Sequence, residues 1–132
     1  MIFKEGDEFS EKFLVSTETY RGFIQLFRDN NPLHTSDEFA AAHGFSSKVM
    51  HGNILNGFLS YFIGECLPTK DVIIHSQEIQ FKNAVYLGDE LQFNAAVTGF
   101  YESVNAIEFK YSFKNAASKT VAKGKFQIGL LK

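Results

Sequence analysis

The chain has 132 residues, of which 45% are hydrophobic and 21% charged, a balance that suits one folded domain spanning 1–132 and excludes a disordered chain. Thirteen basic against fifteen acidic residues give a formal net charge of −2, without the basic excess of a nucleic-acid binder. No apolar run is long enough to predict a membrane-spanning helix.

The first residues, Met1 to Asp7, read MIFKEGD and lack the apolar stretch of a secretory signal, so a cytoplasmic protein is expected. Leu14 and its neighbours supply a candidate first strand. Thr17 is placed to cap a helix in which Tyr20, Phe23, Ile24 and Phe27 recur on one face. Pro32 disfavours helix at Asn31, so this helix should end near Asn30. A shorter helix is predicted from Ser36 to His43, with Asp37 and Glu38 in its first turn and Gly44 as its stop.

The third predicted helix, Gly52 to Cys66, carries no charge before Glu65 and closes at Pro68. Asn53, Gly57, Ser60 and Gly64 share a narrow stripe. Ile54, Leu55, Phe58, Leu59, Tyr61, Phe62 and Ile63 cover the remaining circumference. A helix apolar nearly all round is expected to be buried, its stripe letting another backbone come close or lining a site.

Beyond Lys70 the period becomes two. Strands are predicted over Val72–Phe81, Leu91–Phe100, Ala106–Phe113 and Val121–Leu130, with a Gly88-Asp89 turn before the second. The expected class is α+β, an antiparallel sheet wrapped around the apolar helix with one edge open to a partner. Fifteen Phe and five Tyr predict a bulky core and apolar surface left for a subunit interface.

The candidate chemistry lies in Asp29-Asn-Asn-Pro-Leu-His34 and in His51-Gly52. A carboxylate and an imidazole five residues apart across a proline turn can face one cavity and exchange protons with a water. The same residues also serve as ordinary turn and helix-end groups, and spacing alone leaves both readings open. Gly52 begins a helix, where unpaired N–H groups and the positive dipole end can hold an oxyanion, although an ordinary helix entry fits equally. Ser60 needs a partner if buried, and Asp29 is one candidate. His43 and His75 read as structural, and four scattered histidines offer no metal-ligand spacing, so no metal site is expected. No Walker-type loop or nucleophile-elbow serine is present, and Cys66 reads as packing.

Asp29-x-Asn31-Pro32-Leu33-His34 followed by Val49-Met50-His51-Gly52 resembles the MaoC-like, (R)-specific enoyl-CoA hydratase family of hot-dog proteins. The likeness runs from Gly6-Asp7 through Phe81–Asp89. It implies a hot-dog fold with Asp29 and His34 as a catalytic dyad. It also implies Gly52 N–H as oxyanion donor with His51 beside it at the substrate, and Asn31 and Ser60 in support. The implied reaction is reversible hydration of a trans-2-enoyl thioester to an (R)-3-hydroxyacyl thioester. CoA or acyl-carrier protein is the implied handle, with no cofactor and a homodimeric assembly. The chain departs from the family at Phe27-Arg28, where Ser-Gly is usual. Two alternatives are a hot-dog thioesterase and a non-catalytic acyl-thioester binder. Arg28 is the best evidence for the binder, whereas the Asp29-to-His34 motif favours the hydratase.

Overall fold

Two-residue alternation carries the second half of the chain into four strands in the computed structural model, which describes residues 2–131. These are β2 (Val72–Phe81), β3 (Glu90–Tyr101), β4 (Ala106–Lys114) and β5 (Thr120–Leu130), and β1 (Glu8–Leu14) joins them. The strands form one antiparallel sheet in the order β1-β3-β4-β5-β2. Leu91, Phe93, Ala95 and Val97 of β3 face the core, as do Ile107, Phe109, Tyr111 and Phe113 of β4. Opposite them on β5, Phe126 stacks on Phe109 at 4.6 Å between ring centroids. Each buried aromatic of this kind contributes about 1.5–3 kcal/mol relative to exposure.

Helix α1 (Thr17–Phe27) is capped one residue earlier than expected: the Ser16 hydroxyl accepts the Thr19 N–H at 3.0 Å. It ends at Phe27 because Arg28 turns left-handed, with φ 61°. Phe27, on the apolar face of this helix, is 68% exposed, and no residue of α1 is fully buried. A four-residue helix α2 (Pro32–Thr35) was not expected, and α3 (Asp37–Ala42) follows from a shared residue, Ser36, which ends α2 and caps α3.

Helix α4 (Asn53–Tyr61) continues as a π-turn over Phe62–Cys66 and is buried on one side only. Ile54, Leu55, Leu59, Phe62 and Ile63 enter the core. Phe58 stacks on Phe13 at 4.6 Å, and Phe62 lies 4.7 Å from Phe93. Asn53, Gly57, Ser60, Tyr61 and Gly64 form an exposed stripe. All-round burial is therefore corrected, because one five-stranded sheet covers only the helix flank that faces it. No helix among the described residues is long and apolar enough to cross a membrane.

His75 lies at a β-bulge in the edge strand β2, between Ile74 and Ser76, with its ring over Gly129. Deeper in the sheet, Tyr111 reaches past Gly124 on β5 to donate its hydroxyl to the Glu78 carbonyl on β2 at 2.8 Å. A Cβ at Gly124 would run into that carbonyl and stand 2.9 Å from the hydroxyl. Burial pushes the Tyr111 phenol up to about 12. The folded state thus holds the phenol proton more tightly than the unfolded chain, whose tyrosine titrates near 10. Stability is expected to fall as pH rises from about 10 to about 12, and urea titrations of Tyr111→Phe across that range should show a flatter alkaline limb.

Candidate active site

Arg28 ends α1 in the left-handed region, and the three residues after it make a tight turn. Asp29 Oδ1 accepts the Asn31 N–H at 3.2 Å, and Asn31 Oδ1 accepts the Leu33 N–H at 2.9 Å. Asn31 thereby caps α2, with Pro32 at the first helical position, where its missing N–H costs nothing. One turn of helix then carries His34 back toward Asp29. The Tyr20 hydroxyl fixes it from behind by donating to the His34 carbonyl at 2.6 Å. Burial, with Asp37 nearby, raises the Tyr20 phenol and keeps it a donor.

The His34 ring donates Nδ1–H to the Val49 carbonyl at 2.7 Å, since a carbonyl can only accept. Nε2 is left with its lone pair, 3.8 Å from Asp29 Oδ2. That separation exceeds a direct hydrogen bond and suits a water held by both groups. Val49 is itself stitched in place: its N–H donates to the Leu33 carbonyl, it bridges to Tyr86, and Met50 N–H donates to Val85.

His51 and Gly52 follow directly. The His51 ring is 3% exposed and donates Nε2–H to the Asp29 carbonyl at 2.8 Å. Its faces meet Phe23 at 4.7 Å and His34 at 4.1 Å. The buried Nδ1 has no hydrogen-bond partner among the described residues. Gly52 stands at the start of α4, and its N–H donates to no group among the described residues. The Phe81 ring lies flush against it, so a Cβ at position 52 would sit 2.8 Å from the ring. Only glycine leaves both the N–H and the aromatic wall in place.

Asp29, His34, His51 and Gly52 line one cleft of about 500 Å³, together with Phe81 and Lys82. A second, more apolar cleft of about 900 Å³ between α1 and α4 shares Phe23, Asp29 and Asn53 with it. Ser60 lines neither cleft. It lies on the exposed stripe of α4, about two turns beyond Gly52, and its hydroxyl makes no hydrogen bond among the described residues. Reasoning from the motifs passed over the roles of Val49, Tyr20 and Phe81. A β-rich strand ending in an aromatic is a signal for Phe81; a main-chain acceptor such as Val49 leaves none.

The fold brings one donor atom each of Asp29, His34 and His51 within 4.8 Å, a grouping that sequence spacing does not reveal. The two imidazoles lie 4.1 Å apart between centroids with 30° between their planes, and His34 Nδ1 and His51 Nε2 are engaged by the Val49 and Asp29 carbonyls. Cys66 donates its thiol to Glu11 Oε1 at 3.3 Å. Burial, then this contact, pushes the thiol up to about 11, so it is no nucleophile at neutral pH.

A family model described as MaoC like domain matches residues 4–120. An (R)-specific enoyl-CoA hydratase of Rhodospirillum rubrum is 30% identical over 125 residues, covering 95% of this chain and 86% of the relative. A mitochondrial 3-hydroxyacyl-[acyl-carrier-protein] dehydratase of Arabidopsis thaliana is 29% identical over 126 residues, covering 93% and 75%. The solved (R)-hydratase from A. caviae involved in PHA biosynthesis has a TM-score of 0.88 and 26% identity, covering 97% of each chain.

Two outcomes follow from the local geometry. Gly52→Ala is expected to lower the melting temperature by displacing Phe81, and Phe81→Ala in the same chain should recover most of that loss. Arg28→Gly relieves a positive φ and should raise stability in urea by about 0.5–1 kcal/mol.

Proposed function

The chain belongs to the MaoC-like domain family, and on that premise we propose that it catalyses the reversible hydration of trans-2-enoyl thioesters to (R)-3-hydroxyacyl thioesters. The observation that carries this reading is the 3.8 Å gap between Asp29 Oδ2 and His34 Nε2, opening into the cleft that Gly52 lines. A water in that gap gives one hydrogen to each group. His34 Nε2, the nitrogen with the free lone pair, takes a proton as the water oxygen bonds to Cβ. The π electrons move toward the thioester carbonyl, and the Gly52 N–H at the positive end of α4 holds the enolate oxygen. A proton then passes from the dyad to Cα, so one water is added and both side chains return to their starting state. The balance needs no redox step, which supports an enzyme without a cofactor.

The (R) configuration rests on the relatives' names, and so does the handle, which is CoA in one and acyl-carrier protein in another. We place the chain as a single domain over 1–132 in a cytoplasmic homodimer. The edge strand β2, with Ile73 52% exposed, supplies apolar surface for a second copy, and the small side chains on the exposed stripe of α4 let another backbone come close. Ser60, on that stripe, takes its supporting role only where a partner covers it. The non-catalytic alternative loses its main support, because Arg28 occupies a left-handed turn at the end of α1 and does not line the catalytic cleft.

Hydration of crotonyl-CoA, followed by loss of the conjugated enoyl absorbance, tests the reading. Asp29→Asn and His34→Ala should each lower kcat about 10²–10⁴-fold with folding intact. Turnover unchanged in either variant would reject the dyad.

A further inference from the structure

His51 is the one buried titratable side chain at the site that the hydration mechanism leaves unused. Its expected place is at the substrate; its ring, 3% exposed, borders the cleft and is otherwise packed against protein groups. One edge donates Nε2–H to the main-chain carbonyl of Asp29 at 2.8 Å. The His34 ring lies against it at 4.1 Å and 30°, and Phe23 at 4.7 Å and 38°. The remaining ring nitrogen, Nδ1, is buried without a partner among the described residues. A buried polar atom left unpaired is costly, so this ring is kept for something that an apolar side chain of the same size would not supply.

We propose that His51 is the positioning residue of the dyad. It ties the backbone of Asp29 by its edge and seats the His34 imidazole on its face, and together these set the gap in which the water is held. This rests on the hydratase reading above. The Val49 carbonyl fixes the His34 ring only at Nδ1 and leaves it free to tilt about that contact. The Asp29 side chain is 48% exposed, and its own turn holds Oδ1 but not Oδ2. His51 is the group that touches both partners.

Displacing a reacting group by about 1 Å can cost on the order of 10² in rate. His51→Phe keeps the aromatic bulk and loses the donor. It should lower kcat about 10–100-fold while KM stays within about threefold, because what the variant loses is the hold on Asp29 and His34. His51→Gln carries an amide donor that can reach the Asp29 carbonyl, and it should regain most of kcat. In an Asp29→Asn background His51→Phe should add less than about threefold, since the group it positions is already disabled. A full additional loss there, or no rescue by Gln, would reduce His51 to a core residue and overturn the proposal.

Long-range proton–nitrogen spectra of the wild-type protein give a readout independent of turnover. They should show His51 protonated at Nε2 and bare at Nδ1. The opposite tautomer would refute the proposal even if His51→Phe failed to fold. Wild-type protein inert toward every enoyl thioester would reject the hydratase reading instead, and with it the role given to His51. Normal turnover in His51→Phe would reject only the positioning role.

Discussion

The carbonyl of Val49 accepts the Nδ1 proton of His34, and since a carbonyl has no proton to give, this contact decides which nitrogen looks toward Asp29. The other tautomer would present an N–H to Asp29 in place of a lone pair. The residue that makes the decision is fixed from several sides. Its N–H is spent on Leu33 of α2, it bridges to Tyr86, and the next residue pairs with Val85. The segment acts as a short seam between the proline turn and the loop after β2. It delivers His51 and Gly52 to the start of α4 as a by-product of the same pairing.

A second main-chain acceptor, the Asp29 carbonyl, does for His51 what Val49 does for His34. Both histidines are oriented by backbone and not by carboxylates, so the one carboxylate present keeps an oxygen free for the cleft. The two clefts meet at Phe23, Asp29 and Asn53. Anything lying across both passes the free oxygen of Asp29, which places the charge at the junction of a polar space and an apolar one.

The sheet was legible because its signal is local. Phe93, Phe109, Phe113 and Phe126 fall on alternate positions, and any register that buries one buries the rest. The helices were less so. Ser16 and Thr17 are equally good caps in isolation, and backbone direction at the end of β1 selects Ser16. Phe27 continues a helical pattern, yet the left-handed Arg28 turns the chain before the pattern has anything to pack against. At the site, turn chemistry and a helix start mark Asp29, His34 and Gly52 in residue order, while their roles and that of Asn31 come from the family resemblance. The position of His51 could not be read that way, since it depends on Phe23 and His34 closing over it from segments 28 and 17 residues away. Neighbourhood in sequence put it beside Gly52, and packing also sets it against His34 and Phe23.

The bulge at His75 bears on how the molecule behaves in a crowded solution. Edge strands with exposed Ile73 and Ile74 invite indefinite strand-to-strand growth. At His75 the ladder slips, so the edge divides into a short piece ending at Ile74 and a longer one from Ser76 to Phe81. An incoming strand can match one piece or the other but not run straight through both. The irregularity works as a stop against fibre formation along this edge.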